Sequence, residues 1–308
     1  MNQSQNGTEK ILIGIDFGGT QGKFVVQDNQ GHILHSQVLG NDQRLIQNSS
    51  EVSWRIQSVK EYFHFATKSF GPVQSIGLSF PGLATKDARV IQYLPGKLCG
   101  VAGVDWEKDL DLEVKVRVIN DAQAALIAEA WIGTAQHKNH VVLLTLGTGV
   151  GGAFMINGQL VQGALGRAGH FGHVIIERHG PRDIFDVPGT LEWYLGNATI
   201  GHRTNYRWSS IEALIVDVKN SNQQAMAHWK EWIHNLSVGI VSILNSLDPE
   251  LLVLSGGVTL AGDLLLDPLN QCLATIEWSP LGHRVPIALS KFQELGGAIG
   301  AAWFSYNY

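Results

Sequence analysis

Hydrophobic positions along the chain follow two rhythms. Short unbroken apolar runs ending in glycine read as buried strands, and apolar residues three or four apart read as one face of a helix. Residues 11–39 predict three strands, with turns at Gly18-Gly19 and at Asp28-Asn29-Gln30-Gly31, a strong hairpin signal. Val52, Ile56, Val59, Phe63 and Ala66 predict a helix over 51–70. A strand over 75–79 runs into the sharp turn Phe80-Pro81-Gly82. A strand over 114–119 precedes an alanine-rich helix over 121–133. Strand-like runs return on either side of Gly147-Thr148-Gly149, and Asn157-Gly158 beyond them is a type I′ hairpin signature. A long helix covers 225–247, and strands cover 251–254 and 285–289. Ser255-Gly256-Gly257 turns the first of these strands toward a helix near Gly262, and a last helix covers 295–304.

Strand hairpins followed by strand–helix units, done twice, describe two α/β halves. The expected division gives an N-terminal lobe of 1–119 plus about 293–308, and a C-terminal lobe of 120–292. No Pro-rich or Ser-rich linker separates them, so the hinge is expected to be short, with motion of the lobes around a cleft.

Composition narrows the class. A chain of 308 residues with 44% hydrophobic residues has ample material for one large or two medium domains. Only 16% of residues are charged, and the net charge of −5 offers no general attraction to nucleic acid. The 35 glycines cluster at strand ends rather than in a low-complexity tract, which points to turn geometry and phosphate approach. Cys99 and Cys272 are too few and too far apart for a disulfide framework, and Met1–Lys10 lacks an apolar signal core. No apolar run is long enough to span a bilayer, so no membrane partner is expected, and the missing signal and scarce cysteines make the expected location cytoplasmic.

The two glycine turns carry the chemistry. Asp16 ends an apolar run and is followed by Gly18-Gly19-Thr20. A carboxylate at a strand end can hold a hydrated magnesium ion, and glycines let backbone N–H groups approach phosphate oxygens. Gly147-Thr148-Gly149 repeats the device, so the pair reads as a clamp on a polyphosphate or, more plainly, as two ordinary hairpins. Asp121 follows a strand and opens a helix, where it serves as a general base or, with Asn120, as a helix cap.

Taken together, Asp16-Phe-Gly-Gly-Thr20, Pro81-Gly82, Asn120-Asp121, Leu146–Gly152, Gly169–His173 and Leu254–Val258 resemble, in order, the motifs of the ROK family of sugar kinases. That resemblance implies a two-lobed α/β fold of the actin-like ATPase (ribonuclease H-like) kind, and glucokinase-like transfer of phosphate from ATP to a hexose hydroxyl. It makes Asp121 the catalytic base for the 6-hydroxyl of glucose or a related hexose. Asn120, Pro81, Gly82, His170, His173 and Glu192 become the sugar-side residues. Asp16, Gly18, Gly19, Thr20, Lys23, Gly147, Thr148, Gly149, Gly256 and Gly257 become the nucleotide side, with Asp16 orienting Mg2+ through water. Gly256-Gly257 alone is also a plain strand-to-helix turn. Family repressors carry an N-terminal helix-turn-helix, for which a first strand at residue 11 leaves no room.

The pattern breaks in two places. Zinc-bearing relatives have cysteines where Asp183, Phe185 and Thr190 stand, so this is a member without the zinc motif and no zinc is expected; packing around Phe185 and Trp193 is expected to replace it. His170 replaces a sugar-binding glutamate, exchanging a double acceptor for one acceptor and one donor. Three readings follow: a glucokinase using ATP or polyphosphate, an N-acetylhexosamine kinase, and a sugar-binding regulator with weak catalysis. The resemblance also extends to homodimers through the helix over 225–247, although burial in the monomer accounts equally well for Trp229 and Trp232.

Overall fold

The apolar run Ile11–Phe17 forms strand β1, buried along its length except at Asp16. A computed structural model of the chain describes residues 10–19, 21–40, 51–94, 96 and 98–308; Thr20 of the first glycine turn lies outside the described residues. β2 (Gln21–Asp28) and β3 (Ile33–Gly40) follow β1 as antiparallel neighbours. The helix α1 (Glu51–Phe70) leads into β4 (Val73–Phe80), which lies parallel to β1. A small ribbon, β5 (Leu83–Ala84) with β6 (Ile91–Tyr93), and the short helix α2 (Trp106–Leu110) precede β7 (Lys115–Asn120). The sheet order is β3-β2-β1-β4-β7, with β7 parallel to β4. The helix α3 (Asp121–Ile132) leaves β7 directly and is buried from Ala122 to Glu129, as an all-round apolar sequence requires.

The same plan is then built again. β8 (Val141–Leu146), β9 (Val150–Ile156) and β10 (Gln159–Leu160) form the antiparallel part of a second sheet. Asn157 and Gly158 both have positive φ (54° and 71°), as the expected type I′ turn demands. Four helices follow: α4 (Leu191–Leu195), α5 (Ile200–Arg203), α6 (Ile211–Lys219) and α7 (Gln223–Leu247). β11 (Leu251–Ser255) pairs parallel to β8, the helix α8 (Asp263–Ile276) follows, and β12 (Ile287–Leu289) pairs parallel to β11. β12 begins two residues later than expected, because the Val285 N–H donates to Glu277 Oε1 instead of to a strand. The final helix is α9 (Gly296–Asn307). Among the described residues no helix is long and apolar enough to cross a membrane.

Two units result: 1–132 with 163–167 and 295–308, and 133–162 with 168–294. The division falls after Ile132 rather than at Asn120, and the reason lies in α9. A Cβ on Gly300 would stand 1.7 Å from the Ala124 carbonyl oxygen, so α9 and α3 pack backbone to backbone. Gly14 on β1 and Gly77 on β4 admit the same helix from the sheet side: Cβ atoms there would lie 1.9 Å and 1.8 Å from the carbonyl oxygens of Ala298 and Ala301. In the second unit Trp229 and Trp232 stack with ring centroids 4.9 Å apart. Their indole N–H groups donate to the carbonyls of Leu264 and Leu195. Both are buried, so these indoles serve the core of their own unit.

Candidate active site

In the first unit, strand register brings three candidate positions to one end of the sheet. β1, β4 and β7 are parallel neighbours, and Asp16 pairs with Ser79 as Phe80 pairs with Asn120. Asp16, Ser79 and Asn120-Asp121 therefore stand at the carboxyl ends of adjacent strands, where open α/β sheets bind ligands. Ser79 Oγ donates to Asp16 Oδ1 at 2.7 Å, and Lys23 Nζ lies 3.9 Å from Asp16 Oδ2. Burial first, and then the charge of Asp121, push the Asp16 carboxyl up to about 6, against the pull of Lys23 and Ser79. The first turn of α9 lies against the same group, since a Cβ on Gly297 would come within 2.8 Å of the Asp16 carboxyl carbon.

Asn120 caps α3: its Oδ1 accepts from the N–H groups of Ala122 and Gln123, and its Nδ2 donates to the Gly82 carbonyl. The cap sets Asp121 as the first helical residue, and the bond to Gly82 ties the Pro81-Gly82 loop to it. Asn120 is thus largely engaged in building the site. The loop in turn needs glycine, because a Cβ on Gly82 would stand 2.7 Å from the Tyr93 carbonyl oxygen.

In the second unit, Glu192 reaches the second glycine turn. Its Oε2 accepts the Val150 N–H at 2.9 Å, and a Cβ on Gly149 would lie 2.1 Å from that oxygen. Thr190, one of the positions that replace cysteine, is fully buried and caps α4 by accepting from the Trp193 N–H, which orients Glu192 in the first turn. His170 precedes and His173 ends a 3-10 turn, Phe171–His173, held against β9 because Gly152 and Gly172 leave no side chain in between. The His173 side chain is 43% exposed, faces Asp183 and meets the Phe185 ring edge-on at 5.4 Å. Trp193 stacks on His202 rather than closing this loop. Gly256 has φ +98°, and a Cβ there would strike the Leu146 carbonyl oxygen at 2.3 Å, so it is a position that only glycine fits. Gly257 begins a 3-10 turn beside Glu212.

Two details differ from a simple phosphate cradle. The Gly18 N–H donates to the Gln21 carbonyl and the Gly147 N–H to that of Gly149, so both amides shape their own turns. Ser79 and Gly297 were not among the residues singled out from sequence. Ser79 had a signal, a hydroxyl at a strand end, whereas Gly297 becomes informative only when α9 is docked.

Asp16 offers carboxylate oxygens, one of them bonded by the Ser79 hydroxyl; oxygen is the donor type magnesium takes, and a divalent cation would relieve the Asp16–Asp121 repulsion. The residues fit magnesium on Asp16. They do not fit a thiolate zinc site: both cysteines are free, and Asp183, Phe185 and Thr190 are engaged in loop and cap contacts. Among the described residues no cluster of three His, Cys, Asp or Glu is arranged to hold a metal.

The family model for ROK matches residues 12–307. A glucokinase from Halalkalibacterium halodurans is 27% identical, with 96% of this chain and 95% of that protein covered. An N-acetyl-D-glucosamine kinase from Haemophilus influenzae is 25% identical, with 95% and 98% covered. The structure of a ROK family glucokinase from Streptomyces griseus, in complex with glucose and AMPPNP, superposes with a TM-score of 0.79 at 20% identity, over 95% of this chain and 98% of that one. The fold is the actin-like ATPase architecture of these kinases, and sugar phosphorylation is supported at the level of the family. With a match that runs through both units, this chain belongs to the ROK family.

Proposed function

We propose that the protein is an ATP-dependent sugar kinase that phosphorylates the 6-hydroxyl of glucose or a closely related hexose. The observation that carries this reading is Asp121 at the first position of a capped helix, close enough to Asp16 to raise its carboxyl. Asp121 is the base that accepts the hydroxyl proton. Asp16 is the carboxylate that would hold magnesium, which when bound supplies charge neutralisation at the phosphates. The backbones of the two glycine turns and Lys23 serve the nucleotide. His173 and Glu192 serve the sugar, Glu192 offering Oε1 while Oε2 is bonded to Val150. His170, where a carboxylate would accept two hydroxyl bonds, favours as a second reading a sugar with a different substituent, such as an N-acetylhexosamine. The relative from Haemophilus influenzae lends that reading support.

The test is ADP release in a coupled assay with magnesium-ATP over a panel of hexoses, amino sugars and N-acetyl sugars. Turnover on one sugar, abolished in Asp121→Asn with ATP binding retained, is the expected result. Full turnover in Asp121→Asn would remove the base assignment. Silence across the panel, with polyphosphate also tried as donor, would favour a sugar-binding regulator.

A further inference from the structure

We infer that Asp183 is a positioning residue for His173, and that it fixes which imidazole nitrogen meets the substrate. This rests on the proposed role of His173 in holding a sugar. The Asp183 side chain is only 4% exposed. Its two oxygens have different fates. Oδ1 accepts the N–H groups of Phe185 (2.9 Å) and Val187 (3.0 Å), which closes the loop on itself. Oδ2 is buried without a hydrogen-bond partner and lies 3.8 Å from His173 Nδ1.

That distance is too long for a hydrogen bond, yet a buried carboxylate oxygen without a donor is costly. Arg182, the preceding residue, does not supply the donor: its Nη1 is turned to Asp186 at 3.2 Å. His173 Nδ1–H can, by a movement of about 1 Å to normal hydrogen-bond distance. The Phe185 ring stands edge-on to the imidazole, 77° between planes, and limits its rotation. With the proton held on Nδ1 toward Asp183, Nε2 is a bare acceptor. His173 would then accept a hydrogen bond from a substrate hydroxyl and discriminate against a group that can only accept.

Asp183→Asn separates this from a loop-clamping role. Its amide oxygen can still take the Phe185 and Val187 N–H groups, while its NH2 can only donate to Nδ1, which drives the proton to Nε2. The expected result with glucose and ATP as probes is a KM for glucose raised roughly tenfold, about 1.4 kcal/mol, with the KM for ATP and the melting temperature unchanged. In the full-length chain labelled with 15N-histidine, with His173 assigned by its loss in His173→Gln, the wild type shows the Nδ1–H tautomer and Asp183→Asn the Nε2–H tautomer. An unchanged tautomer, or equal losses in both KM values together with stability, would overturn the proposal. The tautomer is read without turnover. A chain that showed the expected switch but phosphorylated no sugar would therefore sink the kinase reading and leave the Asp183–His173 pair standing.

Discussion

Replacing Asp16 by Asn sets stability against chemistry, and the sign follows from the site. The Asp16 side chain is 14% exposed, and burial with the Asp121 charge raises its carboxyl from 3.8 to about 6. A carboxyl raised on folding has its favourable contribution below the unfolded value, near pH 4, and loses it as pH climbs through about 6. A shift of about two units corresponds to about 3 kcal/mol at pH 8, where the ionised group is held in a place that disfavours it. Asn escapes that cost and can still accept from Ser79 Oγ, though it gives up the Lys23 pairing. Asp16→Asn should therefore be more stable than the wild type by about 1–3 kcal/mol at pH 8, with the gain fading to nothing by about pH 4. The assay is urea unfolding without divalent cations at pH 8, 6 and 4, alongside steady-state turnover. Added magnesium should narrow the gap by stabilising the wild type only, and turnover of the variant should collapse. A variant less stable at pH 8, or equally stabilised at pH 4, would refute the account of Asp16 as a charge kept at an energetic cost for function.

Gly149→Ala should displace the Glu192 carboxylate, the flexible end of a side chain, so the KM for sugar rises roughly tenfold, about 1.4 kcal/mol, while thermal stability moves little. An unchanged sugar KM would argue against a substrate role for Glu192. Gly77→Ala sets a Cβ 1.8 Å from the Ala301 carbonyl, a backbone atom that cannot swing aside. A loss of about 3 kcal/mol or more is expected in denaturant unfolding. Thr190→Ala removes the cap of α4 and should cost about 1 kcal/mol, with sugar KM affected more than ATP KM because α4 carries Glu192. Equal changes in both would show that the cap acts only on global stability.

How much was legible in advance depended on the range of the forces involved. The strands over 11–39, the helices over 51–70 and 225–247, and the Asn157-Gly158 turn were readable because periodicity and turn chemistry act over a few residues. Asp16 was readable as a carboxylate closing an apolar run, and Asp121 as one that follows a strand and opens a helix. The affiliation of α3 was not, because it is set by Gly300, far away in the chain, which admits α9 at backbone distance. The zinc-position residues gave their identities but not their tasks: Thr190 became a helix cap, and Asp183 a loop clamp facing His173.

The sequence by itself determined the repeated α/β plan, the two glycine turns and the carboxylates near the end of β1 and at the start of α3, since each is written in neighbouring residues. Only the tertiary structure decided that Ser79, 63 residues from Asp16, hydrogen-bonds to it and that Asp121 raises its carboxyl. It also decided that Glu192 bonds the glycine turn 42 residues before it. Register between parallel strands and the close approach of helices at glycines set those meetings. Both arise from packing of distant segments, which no local pattern of residues encodes.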